Sequence, residues 1–217
     1  MISVANLFTN DRIPSSYFAP DAYLRGDLEM GLLENRQGDR LIALPATLLQ
    51  AIYSGLDKET GQASRLVLMN CGRWWGKNFY RRFHEELSNY HGRSIADLPM
   101  VKFLQSLQQC WQTHGWGSIE LDFSYQPRGF LSAKIQNSAF AQLASNSTRP
   151  VCFLEAGILA AFFSQLTGQD LHCIQTTCES LGADRNHFVL GLAQRLEPAE
   201  PLITKFDHDA IMQQLCV

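Results

Sequence analysis

Apolar and polar side chains alternate most cleanly between residues 119 and 136. Ile119, Leu121, Phe123 and Tyr125 alternate with Glu120, Asp122 and Ser124. After the turn Q-P-R-G, Leu131, Ala133 and Ile135 alternate with Ser132, Lys134 and Gln136. A period of two sends successive side chains to opposite faces of a strand, so this pattern predicts a hairpin with one face on a core and one toward water. A second hairpin is predicted from Leu171–Cys178 and His187–Leu192. A third joins Glu29–Asn35 to Arg40–Leu44 around R-Q-G-D, with Gly38 in the turn.

Between the hairpins the period lengthens to that of a helix. Pro45 suits a first helical turn, and the helix behind it carries Leu48, Leu49, Ile52, Tyr53 and Leu56 on one face. A long helix runs from Gln62 to Tyr90, with Leu66, Val67, Met69, Trp74, Trp75, Phe79 and Phe83 at helical spacing. Gly72 and Gly76 lie four apart inside it. Each costs about 1 kcal/mol against Ala, so they predict close approach of another backbone, a neighbouring helix in preference to a ligand. A third helix, Leu98 to His114, carries Val101, Leu104, Leu107 and Trp111 and is ended by Gly115-Trp116-Gly117. Asn137-Ser138 opens a short helix to Leu143, and a loop leads to Pro150.

The apolar stretch from Val151 to Leu166 is interrupted by Glu155, Ser164 and Gln165, which marks a buried core helix. Pro198 and Pro201 break the chain beyond the last hairpin, and Asp207–Leu215 forms a short terminal helix, with His208 in its N-terminal cap region. Hairpins with helices between them define an α+β fold, an antiparallel sheet of hairpins packed on a helical layer on one face. Residues 1–28, broken by Pro14 and Pro20, read as an N-terminal extension for dimer or partner contact, 29–192 as the domain, and 193–217 as a tail.

Composition narrows the function. Of 217 residues, 46% are hydrophobic and 18% charged, against a usual charged share of about 25%. Thirteen Phe and four Trp call for a large interface or a lined cavity. A net charge of −3 argues against nucleic acid or an anionic membrane as partner. The cluster Lys77, Arg81 and Arg82 reads as the solvated edge of a helix. No run of 18 apolar residues occurs, so no transmembrane helix is expected, and the N-terminus has no signal-peptide pattern. Six scattered cysteines fit reduced thiols in a cytoplasmic protein.

His84-Glu85-Glu86 has no second His at zincin spacing, and no nucleophile elbow, phosphate loop or dinucleotide fingerprint occurs. An enzyme acting alone is not expected.

Three segments carry a resemblance. They are the helix with Gly72 and Gly76; G-W-G-S-I-E-L-D-F with F-L-S-A-K-I-Q-N-S-A-F-A; and P-V-C-F-L-E-A-G-I-L-A-A-F with C-E-S-L-G-A-D behind it. In this order, over about residues 30–192, they resemble the V4R (4-vinyl reductase) domain, related to TRAPP transport-complex subunits and to aromatic-sensing domains of transcription activators. Many members of that family hold zinc between the core helix and the last hairpin. The resemblance places two of the thiolate positions on Cys152 and Cys178, the acidic position on Gln175 and the last Cys position on Asn186. Zinc prefers thiolate, imidazole or carboxylate, so this degraded set is not expected to hold it.

The resemblance implies a container for a hydrophobic small molecule rather than an enzyme. The expected ligand is an aromatic compound, an acyl chain or a tetrapyrrole, the last linking the chain to chlorophyll metabolism or photosystem assembly. Candidate pocket residues are Trp74, Trp75, Phe79, Phe103, Leu107, Leu131, Phe162 and Phe163. The alternatives are a scaffold or assembly factor acting as a homodimer or with a protein partner, and an accessory subunit of a vinyl reductase.

Overall fold

The computed structural model describes residues 17–141 and 149–216. In chain order the elements are helix α1 (Pro20–Tyr23), strands β1 (Leu24–Asp27), β2 (Leu32–Asn35) and β3 (Arg40–Leu41), and helices α2 (Ala46–Thr60), α3 (Ala63–His91) and α4 (Met100–Thr113). Then come β4 (Ser118–Asp122), β5 (Leu131–Gln136), α5 (Phe153–Thr167), β6 (Leu171–Thr177), β7 (Asn186–Leu192), α6 (Ala193–Leu196) and α7 (His208–Leu215). Among the described residues every strand pairing is antiparallel, in sheets ordered β1-β2-β3 and β4-β5-β7-β6. The α+β class expected from the hairpin pattern is the observed one.

The chain divides into two compact units, Met1–Ala43 with His84–His114, and Leu44–Phe83 with Gly115–Val217. In the first, Asn35 closes the predicted hairpin. Its side-chain oxygen accepts from the amides of Gln37 and Asp39, both at 2.9 Å. Tyr17, Phe18 and Tyr23 pack ring against ring, with Tyr90 against Tyr17. Within residues 1–28, predicted irregular, the described part contains α1 and β1. L-R-G-D has no alternation to announce β1, and its pairing with β2 supplies the order. Residues 1–16 lie outside the described residues. On α4 the buried stripe is Phe103, Ser106, Leu107, Cys110 and Trp111. Val101, placed on that stripe by sequence, is exposed.

The second unit is built on the four-stranded sheet. Ala133, Ile135, Phe188 and Leu190 are buried on one face, the face toward α5. The expected single helical layer is corrected here. On the other face Val189 packs in a cluster with Phe130, Leu196, Ala199, Ile211, Met212 and Leu215, so the segment after β7 covers it. Ser132, expected to face water, is therefore buried.

Helices α3 and α5 touch through glycine. A Cβ on Gly72 would overlap the carbonyl oxygen of Leu154, and one on Gly157 would overlap that of Met69. Gly76 lies against Ile158 in the same way. The glycine pair thus serves helix packing. Helix α2 differs from expectation: it buries none of its residues, and Leu48 and Ile52 on its apolar face are exposed. Leu49, Tyr53 and Leu56 of the same helix are half-buried, so its apolar face is covered only in part. The helix predicted over 137–143 runs partly outside the described residues.

Candidate functional site

Two features meet at the first turn of α5, both inside the second unit. The first is a cavity of about 340 Å³. Leu66 and Met69 of α3, Phe153 and Ala156 of α5, Ile174 of β6 and Ile203 beyond β7 give it a mainly hydrocarbon wall. Cys152 and Cys173 also border it. Arg65, Arg149 and Glu200 supply charge at the wall, and the Arg65 guanidinium lies 5.5 Å from the centre of the Phe153 ring.

The second feature is a buried polar cluster at the same place. Cys152 caps α5, and Cys178 lies just past the end of β6. A bulge between Gln175 and Thr177 shifts the register of β6. His172, earlier on the same strand, meets Arg73 at 3.2 Å. The sulfurs of Cys152 and Cys178 are 3.9 Å apart, and each residue is 1% exposed. Gln175 accepts from the Cys152 amide at 2.9 Å and donates to the Cys152 sulfur at 3.3 Å and to the Asn186 oxygen at 3.1 Å. Asn186 in turn donates to Glu179 at 2.6 Å and accepts from the Glu179 amide at 3.0 Å. Glu179 also accepts from the amides of Asn137 and Ser138.

The two thiols are unequal. The hydrogen bond from the Cys152 thiol, opposed by burial and assisted by Ser180 and the Val151 amide, pulls Cys178 down to about 6. The same bond, with burial and the neighbouring Glu155, pushes Cys152 well above the ordinary thiol range. Glu155, fully buried on the first turn of α5, is raised well above the carboxylate range by desolvation. One of its oxygens accepts from Ser138 at 2.9 Å, and the other has no partner among the described residues. Tyr53 has a buried hydroxyl likewise without a partner, its ionisation pushed far up by burial.

The donor chemistry does not fit zinc. Only two thiols converge, and both amides are committed to hydrogen bonds with the backbone, with each other and with Glu179. Among the described residues no three His, Cys, Asp or Glu side chains are grouped to hold a metal ion. The structure brings together the four positions that the sequence resemblance singled out, as a hydrogen-bonded cluster.

The eight aromatic and aliphatic candidates are placed elsewhere. Phe79, Phe162 and Phe163 are buried in ring-to-ring packing, with Phe162 5.2 Å from both Phe79 and Phe163. Trp75 is half-buried against Trp116, Trp74 is 70% exposed, and Leu131 pairs with Leu190 in the sheet. Phe103 and Leu107 belong to the first unit. None of the eight lines the cavity described above. Its walls use smaller side chains at the ends of elements. The available signal is position: Phe153 and Ala156 lie one and four residues beyond Cys152, on the turn already singled out.

Residues 131–192, from β5 to β7, match the family model of the V4R domain. No curated protein matches the chain in sequence. Among solved structures, the phenol-responsive sensory domain of the transcription activator PoxR, crystallised with phenol, aligns over 92% of this chain and 99% of its own, with a TM-score of 0.67 at 16% identity. The chain therefore shares that domain's fold. A vinyl-4-reductase family protein from Methanocaldococcus jannaschii aligns over 71% of this chain and 83% of its own, at 18% identity and TM-score 0.44. A trafficking protein particle complex subunit 3 from Naegleria fowleri, covalently bound to palmitic acid, covers 68% and 94% at 13% identity and 0.47. Among the described residues no helix is long and apolar enough to cross a membrane.

Proposed function

We propose that this chain is a non-enzymatic binding module for a small hydrophobic molecule, held in the cavity at the first turn of α5. The cavity itself carries the reading: about 340 Å³ of space walled mainly by hydrocarbon, with a few polar groups placed to orient a ligand. The fold shared with a phenol-responsive domain supports the same class of ligand. Ligand pockets span about 300–1,000 Å³, and this one lies at the small end. It suits a one- or two-ring aromatic or a short acyl chain better than a tetrapyrrole with its substituents. A chlorophyll precursor is the wider variant of the reading, requires the cavity to open, and brings with it a role in pigment metabolism. A cytoplasmic location belongs to the same reading.

The test is native mass spectrometry with an absorption spectrum on the purified chain, before and after adding phenol, 1-naphthol, octanoate or protoporphyrin. One-to-one adducts of the small compounds support the proposal. A Soret shift with pigment and no small-compound adduct moves the reading to tetrapyrroles. No adduct of any kind contradicts it.

A second reading rests on a different observation. Leu48 and Ile52 on α2, and Leu66 and Trp74 on α3, are all at least 45% exposed. Exposed apolar side chains in such number mark interaction surfaces. A scaffold or homodimer would cover them, and sedimentation at several concentrations decides whether the chain self-associates.

A further inference from the structure

We infer that Cys152 and Cys178 form a reversible disulfide when a peroxide enters the cavity, an oxidative modification site at the first turn of α5. The mismatch with zinc leaves two cysteines side by side with no metal ligand set around them. Their sulfurs are 3.9 Å apart. A disulfide needs about 2.0 Å, so the sulfurs have to close by about 2 Å. The two residues are 26 positions apart in sequence and come from different elements, so the bond would tie the first turn of α5 to the end of β6.

Access comes from the cavity. Cys152 borders the cavity and is 1% exposed, so hydrogen peroxide reaches its sulfur from the cavity side once a neighbouring wall side chain shifts. The Cys152 thiol passes its proton to the neighbouring Cys178 thiolate as its sulfur attacks one peroxide oxygen, and the O–O bond breaks. The departing hydroxide takes that proton from Cys178 and leaves as water, and Cys152 becomes a sulfenic acid. The Cys178 thiolate then attacks Cys152 and hydroxide is displaced, which a proton from solvent makes a second water. Two thiols lose two electrons and the peroxide gains two. A thiol reductant such as glutathione or dithiothreitol reverses the bond by exchange.

The surrounding contacts favour this pair over the other neighbouring thiol. Cys178 has the Ser180 hydroxyl at 3.0 Å, which hydrogen-bonds its sulfur. Gln175 holds Cys152 in place by its amide and its sulfur together. Cys173 also borders the cavity, but its sulfur is not paired with either of them, whereas theirs face each other. The remaining thiols lie outside the site: Cys110 belongs to the first unit, and Cys71 and Cys216 are not among the cavity residues.

The experiment is peroxide treatment of the full chain, blocking of free thiols with iodoacetamide, and intact-mass and peptide-mass analysis without reduction. The expected result is loss of two hydrogens, protection of two thiols from alkylation, and a linked Cys152–Cys178 peptide that dithiothreitol abolishes. Cys152→Ser and Cys178→Ser each lose the linked peptide. Because either serine variant risks misfolding, the linked peptide in the unmutated chain is the deciding readout. Sulfinic acid on Cys152 with Cys178 alkylated overturns the inference. So does a Cys152–Cys173 bridge, or a stoichiometric zinc in the purified chain that blocks oxidation. The inference does not depend on a ligand being bound.

Discussion

Gln175 grips Cys152 at two points: its oxygen accepts from the Cys152 amide at 2.9 Å, and its nitrogen donates to the Cys152 sulfur at 3.3 Å. One neutral side chain thus fastens the start of α5 to strand β6 without a metal. The nitrogen also reaches Asn186 at 3.1 Å, extending the fastening to β7.

Removing that side chain leaves a buried amide with no acceptor. Gln175→Ala is expected to destabilise the fold by about 2–4 kcal/mol, the range for breaking a buried hydrogen-bond network. Urea unfolding of the two proteins measures it. A loss under about half a kcal/mol, the scale of an ordinary surface substitution, would show that the cluster is not holding the helix.

The same geometry predicts a gain. The double variant Gln175→Glu with Asn186→Cys supplies a carboxylate and a third thiolate beside Cys152 and Cys178. It is expected to bind one zinc per chain and to melt at a higher temperature when loaded. The unmutated chain is expected to show neither effect at equal zinc. Metal analysis after gel filtration is the readout, and equal zinc in both proteins would sink the donor-set argument.

The helix contact makes a steric prediction. Gly72→Ala places a methyl on the Leu154 carbonyl, and Gly157→Ala places one on that of Met69. Each is expected to cost about 2–4 kcal/mol. Gly55→Ala is the control, because nothing lies within 4 Å of its added Cβ inside α2. It is expected to stabilise by about 0.5–1 kcal/mol through helix propensity. Chemical denaturation that ranks the three otherwise would contradict the packing.

Two buried groups give the fold opposing pH dependences. His208, stacked on His187 with ring centres 4.4 Å apart, is lowered to about 4 by burial first and by the neighbouring imidazole second. A histidine with a lowered pKa in the fold is held neutral. Its contribution is full above the unfolded value near 6.5 and is lost as pH falls toward 4. For His208 the loss amounts to roughly 2–3 kcal/mol. Glu155 acts with the opposite sign: its raised pKa contributes stability at low pH that is lost as pH rises through its elevated value. Between about 4.5 and 6.5 the two slopes oppose each other, so melting curves from pH 4 to 8 are read by difference from the unmutated chain. His208→Ala should remove the rise with pH and leave the fall due to Glu155, and Glu155→Gln should remove that fall and leave the rise.

The sequence made the hairpins and helices legible because their periods are clean, as in Ile119–Ile135 and across α3. It also brought Cys152, Gln175, Cys178 and Asn186 forward by resemblance. It does not reveal β1, whose strand order comes from pairing with β2 rather than from side-chain alternation. The second covered face of the sheet is hidden as well, because Ser132 reads as solvent-facing until the C-terminal segment folds over it. The cavity escapes for a related reason. A search for large aromatics finds the residues that fill a core, such as Phe79 and Phe162, whereas an empty space is bordered by residues like Ala156 and Met69 that leave room.

The most direct test of the binding account is a calorimetric titration of 1-naphthol into the chain and into Met69→Trp, which fills the cavity from α3. Circular dichroism establishes that the variant is folded. The account predicts saturable one-to-one binding by the unmutated chain and at least a tenfold loss in the variant. Absence of binding by both proteins, or equal affinity in both, would contradict it.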